Sequence, residues 1–180
     1  MKIIETLLEN KWLSLKIMKY PEKGINGYVF SHETRCNGKI ISILPFKKTP
    51  SGNYMYLLRK EVTPCWNPDQ QVISSITGGV DNDDISTTVI HEMIEEGGYE
   101  ITLENIISLG TTYGVKSSDT VYYYFTIDLT GFKRKIATGD GSELEKQAEC
   151  YWSDTISGAV DPLLYTSYYL LQEKIKNNQI

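Results

Sequence analysis

The feature that most constrains the fold is a change of hydrophobic period near the middle of the chain. From about residue 12 to residue 59 short runs read as strands, with apolar residues alternating in places. From Asp84 to Glu96 apolar residues instead recur at helical spacing, between two glycine pairs, Gly78-Gly79 and Gly97-Gly98. Alternation places every second side chain on one face of a strand, while helical spacing gathers them on one arc of a wheel. Ser86, Val89, Ile90, Met93 and Ile94 fall on one such arc, as a helix packed on a core requires. Gly97-Gly98 then supplies a residue free to enter the left-handed region, which is how many helices stop.

Strands are expected on both sides of this helix. Trp12–Tyr20 carries Leu13, Leu15 and Ile17 in alternation. Tyr28–Arg35 and Lys39–Phe46 follow, and Asn37-Gly38 between them predicts a two-residue hairpin. Pro50–Asn53 predicts a turn and Tyr54–Arg59 a returning strand. Beyond the helix, Ile101–Thr112 and Val121–Leu129 read as strands. Pro162–Lys176 reads as a second helix, with Leu163, Leu164, Tyr168, Leu171 and Ile175 on its apolar face. A mixed sheet with two or more helices gives an α/β or α+β fold. No repeat or low-complexity linker divides the chain, so residues 1–180 are expected to form one domain.

Composition narrows the function classes. A chain of 180 residues with 41% hydrophobic residues can bury a core. Its net charge of −5 argues against a nucleic-acid backbone as the ligand, since such proteins present a basic stripe. A small anion stays compatible, because a bound divalent cation inverts the charge of an acidic site. Cys36, Cys65 and Cys150 are far apart and form no CxxC pair, which fits a reducing compartment and three small, at least half-buried side chains. The first twenty residues carry Glu5, Glu9 and several lysines, unlike a signal peptide, and no run approaches the roughly 20 apolar residues of a membrane span. The expectation is a soluble cytoplasmic protein with no nucleic-acid or membrane partner.

On the central helix, Glu92, Glu95 and Glu96 stand at i, i+3 and i+4, on one face beside the apolar arc. Like charges at these spacings repel by roughly 0.2–0.5 kcal/mol per pair. A solvated acidic face is one reading. The other is a hard cation held between carboxylates, since magnesium takes oxygen ligands. Only His32 and His91 occur, which argues against a histidine-rich transition-metal site.

His91-Glu92-Met93-Ile94-Glu95-Glu96-Gly97-Gly98-Tyr99 resembles the second half of the Nudix box, at every place but the first. Thr77-Gly78-Gly79-Val80-Asp81 is similar to the opening of that box in ADP-sugar pyrophosphatases. Two departures stand out. Counted from Gly78 the loop is one residue short, so Asp83 or Asp84 takes the place of the first box glutamate, and His91 stands where the box has arginine. Ile40–Phe46 with Tyr54–Arg59 resembles the hairpin that precedes the box, and Leu109-Gly110-Thr111-Thr112-Tyr113 with Ser117-Ser118-Asp119 resembles the loop that follows it in ADP-ribose pyrophosphatases. The proline of that branch is replaced by Val115 or Lys116, and Lys60-Glu61-Val62-Thr63-Pro64 lacks its arginine.

The resemblance implies an α/β/α sandwich with a mixed central sheet over about 39–180, preceded by N-terminal antiparallel strands over about 1–38. It implies an enzyme that hydrolyses a nucleoside diphosphate linked to another group, ADP-ribose foremost, giving AMP and ribose 5-phosphate. Other NDP-sugars, dinucleotides or a non-catalytic nucleotide sensor are the alternatives. Mg²⁺, or Mn²⁺ in its place, would be held by Glu92, Glu95, Glu96 and the Gly78 carbonyl. The general base would come from the late loop Gly139–Glu145, with Glu143 and then Glu145 as candidates. Tyr28 and Phe30 are candidates for holding a base, and Arg35, Arg59 and Asp119 for further substrate contacts. Lys60 could replace Arg59 as a phosphate contact. Members of this branch also imply a homodimer that exchanges N-terminal strands.

Overall fold

The computed structural model describes residues 2–80, 84–139 and 141–180. Three antiparallel strands come first: β1 (Ile3–Glu9), β2 (Leu13–Tyr20) and β3 (Ile25–Glu33), in the order β1-β2-β3. Next come β4 (Lys39–Ile43), β5 (Phe46–Lys48), β6 (Tyr54–Thr63), β7 (Asn67–Ser74) and β8 (Ile76–Gly79). The helix α1 (Ile85–Glu92) continues into a wider π-type turn over Met93–Gly97. Strands β9 (Ile107–Tyr113), β10 (Val121–Thr126) and β11 (Glu149–Ser153) precede the last helix, α2 (Pro162–Lys176).

The central sheet runs β8-β4-β10-β9, and it is mixed because β4 and β10 are parallel while their outer neighbours are antiparallel. A second sheet runs β11-β6-β5, with β7 also on β6. Strand pleating sorts the side chains into two cores. Ile41, Ile43, Leu57 and Phe125 face Val89 of α1 and Met93 of the turn that continues it. Leu44, Tyr56, Leu58 and Tyr124 face α2 through Leu164 and Leu171. The helices therefore cover opposite faces of the strands, an α+β arrangement of three layers. No helix among the described residues is long and apolar enough to cross a membrane.

Several local expectations are corrected. Asn37 and Gly38 do adopt positive φ, 48° and 69°, and the Lys39 N–H donates to the Cys36 carbonyl at 3.0 Å, as a primed turn requires. Yet β3 and β4 do not form a hairpin: β3 pairs with β2, while β4 pairs with β8 and β10. The run Lys39–Phe46 also divides at Leu44-Pro45, where the chain leaves one sheet for the other. Strands β1, β7, β8 and β11 add to those read from the pattern, and a short 3-10 turn at Leu103–Asn105 delays β9 beyond its expected start. Cys36 and Cys150 are buried, but Cys65 is exposed.

Candidate active site

Alternation along β6 decides which side chains meet α1. Leu57 belongs to the α1-facing core, so Arg59 and Glu61, two and four residues on, share its face. Lys60 points the other way, its Nζ 4.7 Å from the centre of the Tyr151 ring. Arg59 is only 5% exposed. Its Nη1 lies 2.6 Å from Glu96 Oε2 and its Nε donates to Glu61 Oε2 at 3.1 Å. Ser74 on β7 donates its hydroxyl to Glu61 Oε1 at 2.7 Å. Sequence reading had not singled out Glu61, although its place two residues after Arg59 on one strand face was a usable signal.

The α1 side of the site is shaped by two glycines. A Cβ on Gly78 would collide with the Glu92 carboxylate, so only glycine lets Glu92 lie against β8. Gly98, at φ 75°, closes the helix, and the Tyr99 N–H donates to the Met93 carbonyl at 2.8 Å. Because Glu95 and Glu96 stand in the π-type turn, they depart from the purely α-helical register that their spacing implied. The later segment straps this end: the Gly139 N–H donates to the Glu95 carbonyl at 2.9 Å, and Arg134 Nε to the Gly97 carbonyl at 3.0 Å.

A cleft of about 530 Å³ opens over these groups, lined by Glu92, Glu95, Glu96, Arg59, Glu61, Gly78, Arg35, Tyr122 and Glu145 among others. A second cavity of about 260 Å³ shares Arg59, Glu95, Glu96 and Glu145 with it. Burial pushes the Glu96 carboxyl up to about 9, against the pull of Arg59. Burial and the neighbouring Glu95 push Glu92 up to about 7. Burial works against the Arg59 charge, but Glu96 and Glu61 outweigh it and hold the guanidinium above its ordinary value.

The site therefore holds more buried carboxylate than positive charge to pair it. Glu96 Oε2 is buried without a hydrogen bond of good geometry, despite its closeness to Arg59. An oxygen-rich, negatively charged donor set of this kind fits a hard divalent cation. Among the described residues, however, no three His, Cys, Asp or Glu side chains are already arranged around one point as a metal cage.

The remaining sequence candidates fall in different places. Glu145 is half-buried and lines both cavities, whereas Glu143 is exposed and ion-paired with Lys146 at 2.5 Å. Arg35 lines the cleft. Tyr28, Phe30 and Asp119 do not: they line a separate hollow of about 210 Å³ on a face of the N-terminal sheet, with Ile4 and Met18. There Phe30 is buried, Tyr28 donates its hydroxyl to the Lys116 carbonyl at 2.5 Å, and Asp119 is 3.0 Å from His32 Nδ1. Asp84 is the cap of α1, accepting from the Thr87 N–H at 2.9 Å, so its carboxylate serves the helix start. Asp83, the other candidate for the first box position, lies outside the described residues, as does Asp140 of the late loop. His91 is exposed. Trp12 and Trp66 are 55% and 50% exposed.

No protein-family model matches the chain, and no curated protein matches it in sequence. Solved structures do match. An ADP compounds hydrolase aligns over 98% of this chain and 93% of its own, with TM-score 0.68 and 13% identity. A MutT/nudix family protein from Enterococcus faecalis aligns over 64% of this chain and 42% of its own, with TM-score 0.50 and 19% identity. A chain assigned as a NUDIX hydrolase from Listeria monocytogenes aligns over 77% and 94%, with TM-score 0.48 and 23% identity. Likeness at such identities speaks to the backbone, and what it establishes is that this chain has the Nudix hydrolase fold.

Proposed function

We propose that the chain is a divalent-cation-dependent hydrolase that cuts the diphosphate of a nucleoside diphosphate linked to a second group. ADP-ribose is the first candidate substrate, with AMP and ribose 5-phosphate as products. The observation that carries this reading is the convergence of Glu92, Glu95, Glu96, Gly78 and Glu145 with Arg35 and Arg59 on one cleft. Glu92, Glu95, Glu96 and the Gly78 carbonyl are the groups that would hold Mg²⁺ or Mn²⁺. The ion, when bound, neutralises diphosphate oxygens and makes its coordinated water more acidic.

The chain's own residues account for the rest. Arg59 and Arg35 offset the substrate's negative charge and fix the diphosphate along the cleft. Glu145, facing the cleft from the late loop, accepts the proton as water adds to phosphorus and the anhydride P–O bond breaks. Glu143, turned to solvent, is the weaker candidate for that role. Tyr28, Phe30 and Asp119 lie outside the cleft, so a role in holding the base requires a substrate or second protomer that bridges the two regions. A homodimer through the N-terminal sheet is supported by its apolar exposure: Ile4, Leu8, Trp12 and Val29 are each 45% exposed or more. The unpaired cysteines fit a cytoplasmic setting.

Incubation with Mg²⁺ and a panel of ADP-ribose, other NDP-sugars, NADH and dinucleoside polyphosphates, followed by chromatography of nucleotides, tests the proposal. Release of a nucleoside monophosphate from one of them supports it. A nucleotide sensor on the same fold is the second reading, favoured by His91 in the arginine place and by the lack of a preformed cage. Tight binding without products would favour the sensor.

A further inference from the structure

Arg59 stands between two carboxylates at the floor of the cleft, and its two contacts differ. Toward Glu61 the guanidinium Nε makes an aligned hydrogen bond of 3.1 Å, and Glu61 is itself held by Ser74. Toward Glu96 the Nη1 lies at 2.6 Å, but Glu96 Oε2 lacks any hydrogen bond of good geometry. One end of the fork is anchored by a three-residue chain across β6 and β7; the other is a short contact without alignment. Arg59 also borders both cavities.

We propose that the Arg59 Nη1 group is the resident occupant of the position at Glu96 Oε2, from which a divalent ion displaces it, while Glu61 retains the guanidinium by its Nε edge. The proposal rests on the reading of Glu96 as a metal ligand. A point cation and the Nη1 group compete for Glu96 Oε2, and once displaced Arg59 adds like-charge repulsion to the ion. Loading of the ion thereby turns the Arg59 Nη groups from an internal carboxylate toward the cleft, where an anionic substrate would lie. Glu61, with Ser74 behind it, becomes a positioning residue that acts through Arg59. A merely supporting Arg59, which held Glu96 in place as a ligand, would have the opposite effect on ion affinity.

Calorimetric titration with Mg²⁺ alone, without nucleotide, separates the two. Arg59→Gln is expected to bind Mg²⁺ roughly tenfold more tightly than the native chain; equal or weaker binding overturns the proposal. Should Arg59→Gln fail to fold, the native protein decides by nuclear magnetic resonance of the Arg59 side chain. On Mg²⁺ addition the Nη–H signals should shift or exchange faster while the Nε–H signal persists, and unchanged Nη–H signals overturn the proposal. If neither the native chain nor Arg59→Gln binds Mg²⁺, the metal-ligand reading itself falls and this inference with it. Binding confined to the variant supports the inference.

Discussion

The carboxylate of Glu92 occupies the space that a side chain on residue 78 would need, so Gly78 on β8 and Glu92 on α1 are fitted to each other. The missing side chain at residue 78 lets the Glu92 carboxylate lie directly against β8. Gly78→Ala is expected to push the Glu92 carboxylate aside with little change in the sheet, since β4 still pairs with β8 through its backbone. A displacement of about 1 Å can cost on the order of a hundredfold in rate. Stabilisation by Mg²⁺ in a thermal melt should shrink in the same variant, and a melt unchanged in its Mg²⁺ response would count against the fit.

Without metal, pH should act on stability through Glu92 and Glu96. Their folded values, about 7 and about 9, lie above the ordinary 4.5, so the folded chain binds protons more tightly than the unfolded one. The sign follows: their contribution is full below 4.5 and is lost as pH rises through 7 and then 9. Each group contributes a slope of at most about 1.4 kcal/mol per pH unit. Urea unfolding of the metal-free protein from pH 5 to 9 should show the decline, and Glu96→Gln should flatten its upper part. Added Mg²⁺ should stabilise more at the high end, because ligation requires the carboxylates ionised.

Glu145 and Glu143 separate cleanly by mutation. Glu145 borders the cleft and lies near enough to raise both Glu92 and Glu96, while Glu143 faces solvent beside Lys146. Glu145→Gln is expected to lower kcat by about 10²-fold or more, the usual scale for a general base. Glu143→Gln should stay within a few-fold of native. The reverse ranking would move the base to Glu143.

A purely structural prediction comes from Asp161, 2% exposed at the start of α2. Its carboxylate accepts from the N–H groups of Leu163, Leu164 and Ser75 and from the Ser75 hydroxyl, at 2.8–3.1 Å. Asp161→Ala removes a helix cap and strands buried donors, at a cost of about 2–4 kcal/mol. Chemical denaturation should show that loss, with the Mg²⁺ response retained in the folded fraction.

Local pattern carried some parts of this molecule and not others. Both helices were legible because each carries an apolar arc, and α2 begins and ends where its pattern does. Arg59 was a candidate, but its exchange with Lys60 stayed open until the pleat of β6 put only one of them on the α1 face. The partner of β4 was not legible: its parallel pairing with β10 joins residues about eighty positions apart, and no local spacing records that. β7, rich in polar residues, and β11, only five residues long, offer too little alternation to stand out. The π-type turn at Met93–Gly97 likewise left no mark in the spacing of Glu92, Glu95 and Glu96.

The most direct test of metal-assisted diphosphate cleavage is release of nucleoside monophosphate, measured in Mg²⁺ and in chelator for the native chain and for Glu96→Gln. Native protein in Mg²⁺ should form product, chelator should abolish it, and Glu96→Gln should lose at least about a hundredfold while melting as a folded protein. Product formed at equal rates in chelator, or by Glu96→Gln, would contradict the assignment of the cleft.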